Sequence, residues 1–328
     1  MKRILTFGDS WVAGGSLTSK MNKVYYDNRH KYEIPYDEKY DSQLFGSTSE
    51  NTLNARGEYK DNYEFKQSWP GFLNRLVVPS VLNFGEGGIS NQQIISKVVK
   101  SLSSIFGNVT LRGHESFWLE IADNPDEVFV IVSWTSLYRS EIFNFMKDGE
   151  YTTFGIQSIY DNHNGKFSNT ELESFLNIIS NIPYIIEKYL QQCIYLHSFL
   201  KSIGVKHLFF NSFNETTDVI KSVHNHKLIG EDELKREVFK NNHLTMLHEI
   251  IPQDIFYGGS LFGNSQLAFL LKQVDDYPLD EEKYKTVERL KGYSRLFLDD
   301  MHPSELGNEL WSNELYNTEQ IQDFLNEE

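Results

Sequence analysis

The chain has 328 residues, a formal charge of −15, 40% hydrophobic residues and one cysteine. That acidity argues against non-specific nucleic-acid binding and against docking on anionic lipid, since both need a basic face. Cys193 can form no internal disulfide, and no apolar stretch approaches the roughly 20 residues that span a bilayer, so no membrane insertion is expected.

The chain opens with an apolar run, Arg3-Ile4-Leu5-Thr6-Phe7, that leads straight into Gly8-Asp9-Ser10. Such a run, bounded by Gly and Asp, predicts a buried strand, and it places Ser10 at the strand's carboxyl tip, where open α/β sheets present their chemistry. The apolar run is too short for a targeting sequence and is accounted for as this first strand. The expected setting is therefore soluble, either cytoplasmic or associated with an assembly such as a virion.

Residues 16–66 are polar and contain Tyr25, Tyr26, Tyr32, Tyr36, Tyr40, Tyr59 and Tyr63. They read as an insertion beside the active edge, where tyrosines could stack on sugar faces or form a satellite core for the loop. A helix is predicted from Trp69 to Leu76 and a second strand from Ser80 to Phe84. The turn Gly85-Glu86-Gly87-Gly88 follows, and a helix capped by Ser90-Asn91 comes after it. Val128-Phe129-Val130-Ile131-Val132 is the third strand, entered through Asp123-Asn124-Pro125-Asp126.

Beyond Arg139 a second polar insertion covers about 144–170. Its Asp161-Asn162-His163-Asn164-Gly165 lacks the spacing of an EF-hand loop and reads as a turn. An apolar helical period runs from Glu171 to Ile203, with Pro183 expected to kink or divide it. Gly204 ends this helix and Val205 to Phe210 forms a strand. A third insertion, about 214–292, has helical patterns near 233–250, 264–275 and 280–291, with Gly258-Gly259 between two of them as a hinge candidate. It suits a cap or an oligomer contact. His243 and His248 stand five apart, which a helix does not bring to one face, and they read as surface residues. No metal or other cofactor is implied.

Near the far end stands Asp299-Asp300-Met301-His302, with Pro303-Ser304 as a helix start and an amphipathic stretch from Glu305 to Tyr316. A carboxylate three residues before a histidine can hold the imidazole so that its other nitrogen faces a nucleophile. Ser10, His302 and Asp299 are thus the parts of a nucleophile, a base and an orienting acid; Asp300 is the rival acid.

Gly8-Asp9-Ser10, Asn83-Phe84-Gly85-Glu86-Gly87-Gly88 and Asp299-Asp300-Met301-His302-Pro303, in this order, resemble the motifs of the SGNH (GDSL) hydrolase family. The resemblance implies a three-layer α/β/α sandwich around a mostly parallel, flavodoxin-like sheet, with residues 1–328 forming a single domain that carries the three insertions. It also implies a catalytic set of Ser10, Asp299 and His302, with oxyanion donors at Ser10, Gly88 and position 135. The family's third motif has Asn at that last place. Here Ser133-Trp134-Thr135-Ser136 follows the third strand, so Thr135 is the expected donor in kind. Asn91 is a candidate substitute donor, and Trp134 and Arg139 are candidate auxiliary or substrate residues.

The activity expected is ester hydrolysis by acyl transfer through Ser10, on a short-chain ester or the O-acetyl group of a glycan. The alternatives are a weakly active or inactive binding or structural module on the same fold, and a lipase or thioesterase. Partners would be a small-molecule or glycan ester, with oligomer formation or attachment to a larger assembly left open.

Overall fold

A computed structural model describes residues 2–14, 67–87, 89–106, 124–135, 137, 140–144, 150–154, 181–212, 231–277, 295–297 and 302–327. Its centre is a parallel sheet made from strands whose side chains are buried on both faces. β1 (Arg3–Phe7) lies between β2 (Ser80–Asn83) and β3 (Val128–Trp134). β6 (Lys206–Asn211) pairs with the outer side of β3, giving the order β2-β1-β3-β6. A separate antiparallel pair, β4 (Ser140–Asn144) with β5 (Glu150–Phe154), follows β3.

Successive residues of each strand enter opposite layers, as the period of two requires. Leu5, Phe7, Leu82, Val128, Val130, Val132, Trp134 and Phe209 join one apolar cluster, and Ile4, Val81, Phe129, Ile131, Leu208 and Phe210 join the other. The first layer is covered by α3 (Asn91–Phe106), α4 (Ile182–Ser202), α5 (Glu231–Lys240) and α6 (Asn242–Ile250). The second is covered by α2 (Trp69–Leu76), α8 (Glu305–Tyr316) and α9 (Glu319–Asn326). The result is a three-layer α/β/α sandwich. Trp11 with Leu267 and Leu270 of α7 (Gln266–Leu271), Leu296 and Phe297 forms a smaller apolar cluster.

Local chemistry explains most element ends. Ser90 and Gln93 form a reciprocal capping box, Gln93 N–H donating to Ser90 Oγ (3.2 Å) and Ser90 N–H to Gln93 Oε1 (3.0 Å). Gly204, at φ 76°, closes α4.

Several stretches sharpen or change the sequence reading. Pro183 stands in the first turn of α4, where its missing N–H costs nothing, and Asn181 caps the helix through Tyr184 N–H, so of the two expectations for Pro183 the described residues fit a division of the pattern. The helical pattern near 233–250 is two helices, because Asn241 caps the second by accepting from His243 and Leu244 N–H. Ser10 opens a single helical turn, α1 (Ser10–Ala13), stopped by Gly14 in the left-handed region at φ 78°. The β4–β5 pair falls partly in a stretch read only as a polar insertion. The tyrosine-rich stretch, the Asp161–Gly165 turn and the helical pattern near 280–291 lie outside the described residues.

Cys193 is fully buried in the first layer beside Tyr189, and burial pushes its thiol well above the usual range. It is a core residue. No described helix is long and apolar enough to cross a membrane.

Candidate active site

The chain reverses direction across the sheet between β1 and β3, since β1 is followed in sequence by β2 on one side and later by β3 on the other. Such a switch point opens a crevice at the strands' carboxyl ends. Ser10 follows β1 there, as the first residue of α1, with Asp9 as the cap of that turn.

The turn that carries Ser10 is held very closely. A Cβ on Gly8 would lie 2.2 Å from Val12 Cγ2 and 2.9 Å from Ser133 Cβ; one on Gly85 would lie 2.5 Å from Ala13 N. Only glycine lets α1 settle against both β3 and the turn after β2. Asn83, buried at the end of β2, ties these pieces together. Its Nδ2 donates to Val12 O (2.7 Å) while its Oδ1 accepts from Gly85 N–H (2.8 Å). Glu86 N–H donates to Gly8 O (3.0 Å), and Lys97 forms an ion pair with the Glu86 carboxylate. The turn therefore runs beside Ser10, and a Cβ on Gly87 would come within 3.8 Å of Ser10 Cβ.

His302 reaches Ser10 from the other end of the chain, with Nε2 2.8 Å from Ser10 Oγ. Its ring stands 6.4 Å from that of buried Trp11. The adjoining backbone is fixed by a short bridge between Phe297 and Pro303, by Ser304 N–H donating to Leu296 O (2.8 Å), and by Ser304 Oγ donating to Arg295 O (2.7 Å). Ser304 also caps α8, its Oγ accepting from Gly307 N–H (3.2 Å). Asn308 joins α8 to α2: its Nδ2 donates to Pro303 O (3.2 Å) and its Oδ1 accepts from Trp69 N–H (3.2 Å).

In the tautomer with its proton on Nδ1, His302 accepts from the serine hydroxyl through Nε2 and can take the hydroxyl proton as Ser10 attacks an electrophilic carbon. The Ser10 N–H, at the first position of α1, has no acceptor among the described residues and is free to meet a developing oxyanion.

The remaining expected site residues divide sharply. Gly88, Arg139, Asp299 and Asp300 lie outside the described residues. Thr135 does stand at the carboxyl end of β3, but its hydroxyl donates to Asp9 Oδ2 at 2.6 Å, a different use of its one proton from the expected one. Asn91 grips the Thr135 backbone in both directions, accepting its N–H (2.8 Å) and donating to its carbonyl (3.3 Å). Trp134 is wholly buried, edge-on to Tyr189 and Phe209, and is core where a place against substrate was expected. His243 bonds Glu187 across 3.1 Å, and His248 stacks on Phe262, with burial lowering its basicity. No group of potential metal ligands occurs among the described residues.

Sequence reading did not single out Asp9, Asn83, Ser133 or Ser212. The signal was available: each is a small polar residue at the carboxyl end of an apolar strand, where it must find a partner or lose stability.

Solved structures similar to the chain include a member of the lipolytic G-D-S-L family from Veillonella parvula, at 11% identity and TM-score 0.37, covering 97% of this chain and 98% of that one. Two structures of an acetylxylan esterase from Geobacillus stearothermophilus also match. Both cover 100% of this chain at TM-score 0.37, one at 12% identity and 97% of its own length, the other at 13% and 95%. No family model and no curated protein matches. At that TM-score the likeness is loose, and the chemistry of the site is carried by its own atoms.

Proposed function

We propose that the protein is a serine ester hydrolase that works by acyl transfer through Ser10. The observation that carries this reading is the 2.8 Å contact between Ser10 Oγ and His302 Nε2, made by residues 292 positions apart. Ser10 Oγ attacks the acyl carbon while His302 takes its proton and then delivers it to the leaving alcohol. Water, deprotonated by His302, releases the acid and restores the serine. The Ser10 N–H, with the Gly87–Gly88 turn, receives the oxyanion, and Asp299 orients the imidazole.

The substrate class proposed is a short acyl ester, foremost an O-acetylated carbohydrate. The polar, tyrosine-rich sequence 16–66 supports it, because tyrosine offers an apolar face with a hydrogen-bonding tip.

Labelling with a fluorophosphonate, read by intact mass, tests the reaction class. A single adduct on the wild-type protein that is absent from Ser10→Ala and lost or strongly slowed in His302→Ala is expected. Turnover of a nitrophenyl acetate should fall on the order of 10⁴-fold or more in either variant. The absence of any adduct while a known serine hydrolase reacts alongside would reject the reading.

That result would favour a second reading, a binding module that retains the fold. One observation favours it already: the Thr135 hydroxyl is engaged with Asp9, so position 135 contributes no side-chain donor to the oxyanion in this arrangement.

A further inference from the structure

Asp9 is fully buried directly behind the nucleophile, and its carboxylate collects donors from three separate segments. Oδ1 accepts from Trp11 N–H (3.0 Å), which fixes the first turn of α1. Oδ2 accepts the Thr135 hydroxyl (2.6 Å) from the end of β3. The Ser212 hydroxyl, just past β6, stands 3.5 Å from Oδ1 and in direct contact with the Ser133 hydroxyl. At 2.6 Å this buried O–H···O bond is at the short end of its range.

Turning the Thr135 hydroxyl towards a substrate would remove a donor from a buried carboxylate, which is costly. The backbone of Thr135 cannot follow its side chain, because Asn91 holds both its N–H and its carbonyl.

We propose that Thr135 is a positioning residue. It holds Asp9, and through Asp9 the turn that carries Ser10 and Trp11, and does not itself donate to the oxyanion. The part of this that concerns catalysis rests on the ester-hydrolase reading. Asp9 fixes Trp11 N–H and the Trp11 ring lines His302, so the same carboxylate sets both sides of the Ser10–His302 contact.

The test is a double-mutant cycle on the full chain with Thr135→Val, Asp9→Asn and the pair together, and with Thr135→Ser as the conservative control. kcat and KM on nitrophenyl acetate and the rate of fluorophosphonate labelling are measured for each. Thr135→Val is expected to lower kcat about 10–100-fold, the scale of a small misplacement of reacting groups, with KM within about twofold. Thr135→Ser should stay within about threefold of wild type, and the double variant should be no slower than the slower single variant.

Multiplying losses in the double variant would overturn the proposal, since they would mean that Thr135 and Asp9 act independently. Wild-type turnover from Thr135→Val would overturn it as well. If Thr135→Val does not fold, Thr135→Ala enters the same cycle. If the wild type neither labels nor turns over ester, the hydrolase reading is rejected, and the cycle read by urea unfolding still decides the Thr135–Asp9 link. Non-additive stabilities uphold the link, and additive ones end it.

Discussion

The two ends of the central sheet treat polar groups in different ways. At the amino end the polar contacts are part-buried or exposed. Arg3 donates to Ser80 Oγ (2.6 Å), Lys206 pairs with Glu327, and His197 Nδ1 lies 2.9 Å from His207 Nε2. At the carboxyl end the polar residues are buried and linked. Asn83, Asp9, Thr135, Asn91, Ser133 and Ser212 connect the ends of β1, β2, β3 and β6 with the start of α3. A contact open to water can be removed at local cost, whereas a buried linked set passes the loss of one member to the others. The end that holds Ser10 is the end built so that position matters.

The apolar middle of the sheet serves both ends, and cutting it gives the largest expected loss of stability. Leu208, fully buried on β6, should cost about 2–5 kcal/mol when replaced by Ala, read by urea denaturation. The labelling rate of the molecules still folded should be little changed. A selective loss of labelling at full stability would break the distinction between a supporting middle and a positioning edge.

The amino end predicts a pH effect confined to stability. His207 Nδ1 faces Val205 O (3.0 Å) and so carries the proton, leaving Nε2 to accept from His197 Nδ1–H in a neutral pair. Burial, the main cause, lowers the basicity of both rings, bringing His207 down to about 4. The unfolded chain, with an ordinary histidine, takes up the proton first. Stability from this group is therefore complete above about pH 6.5 and is lost as the pH falls to about 4, by up to about 3 kcal/mol. His207→Gln should flatten that part of the urea midpoint against pH, leaving the labelling rate at pH 7.5 unchanged. An unflattened profile would remove the histidine pair as its cause.

The smallest change in stability should come with a change in reaction. Ser304→Ala removes a helix cap and the hydroxyl bond to Arg295 O, at about 1 kcal/mol by thermal or urea unfolding. Because Ser304 fixes the backbone next to His302, kcat should fall several-fold while KM holds. Equal effects of Ser304→Ala and His207→Gln on turnover would erase the contrast between the ends.

Much of this was legible in the sequence because burial on both faces leaves a direct trace. β1 and β3 are near-continuous apolar runs, β6 has Leu208-Phe209-Phe210 at its centre, and Ser10 and His302 stand beside their predicted elements. What the sequence did not disclose is orientation. Thr135 was placed correctly at the end of β3, yet the direction of its hydroxyl depends on Asp9 and Asn91, 126 and 44 residues away. Trp134 looked available for substrate beside a site motif, but the strand's alternation turns it into the first core layer. Pro183 was read as a kink or a division in a helical pattern, and only the structure shows that a helix starts beside it, at Ile182.

The fit of α1 between Gly8 and Gly85 has a consequence for variation in this chain. At both positions a single added carbon meets atoms closer than 3 Å, so every other residue type should be absent from a library selected for folding. Val78, at 102% relative exposure, should accept almost any side chain in the same library. Sequence tolerance would thus fall from full freedom to none within seven positions, and a map of permitted residues would outline the seat of Ser10 without reference to activity.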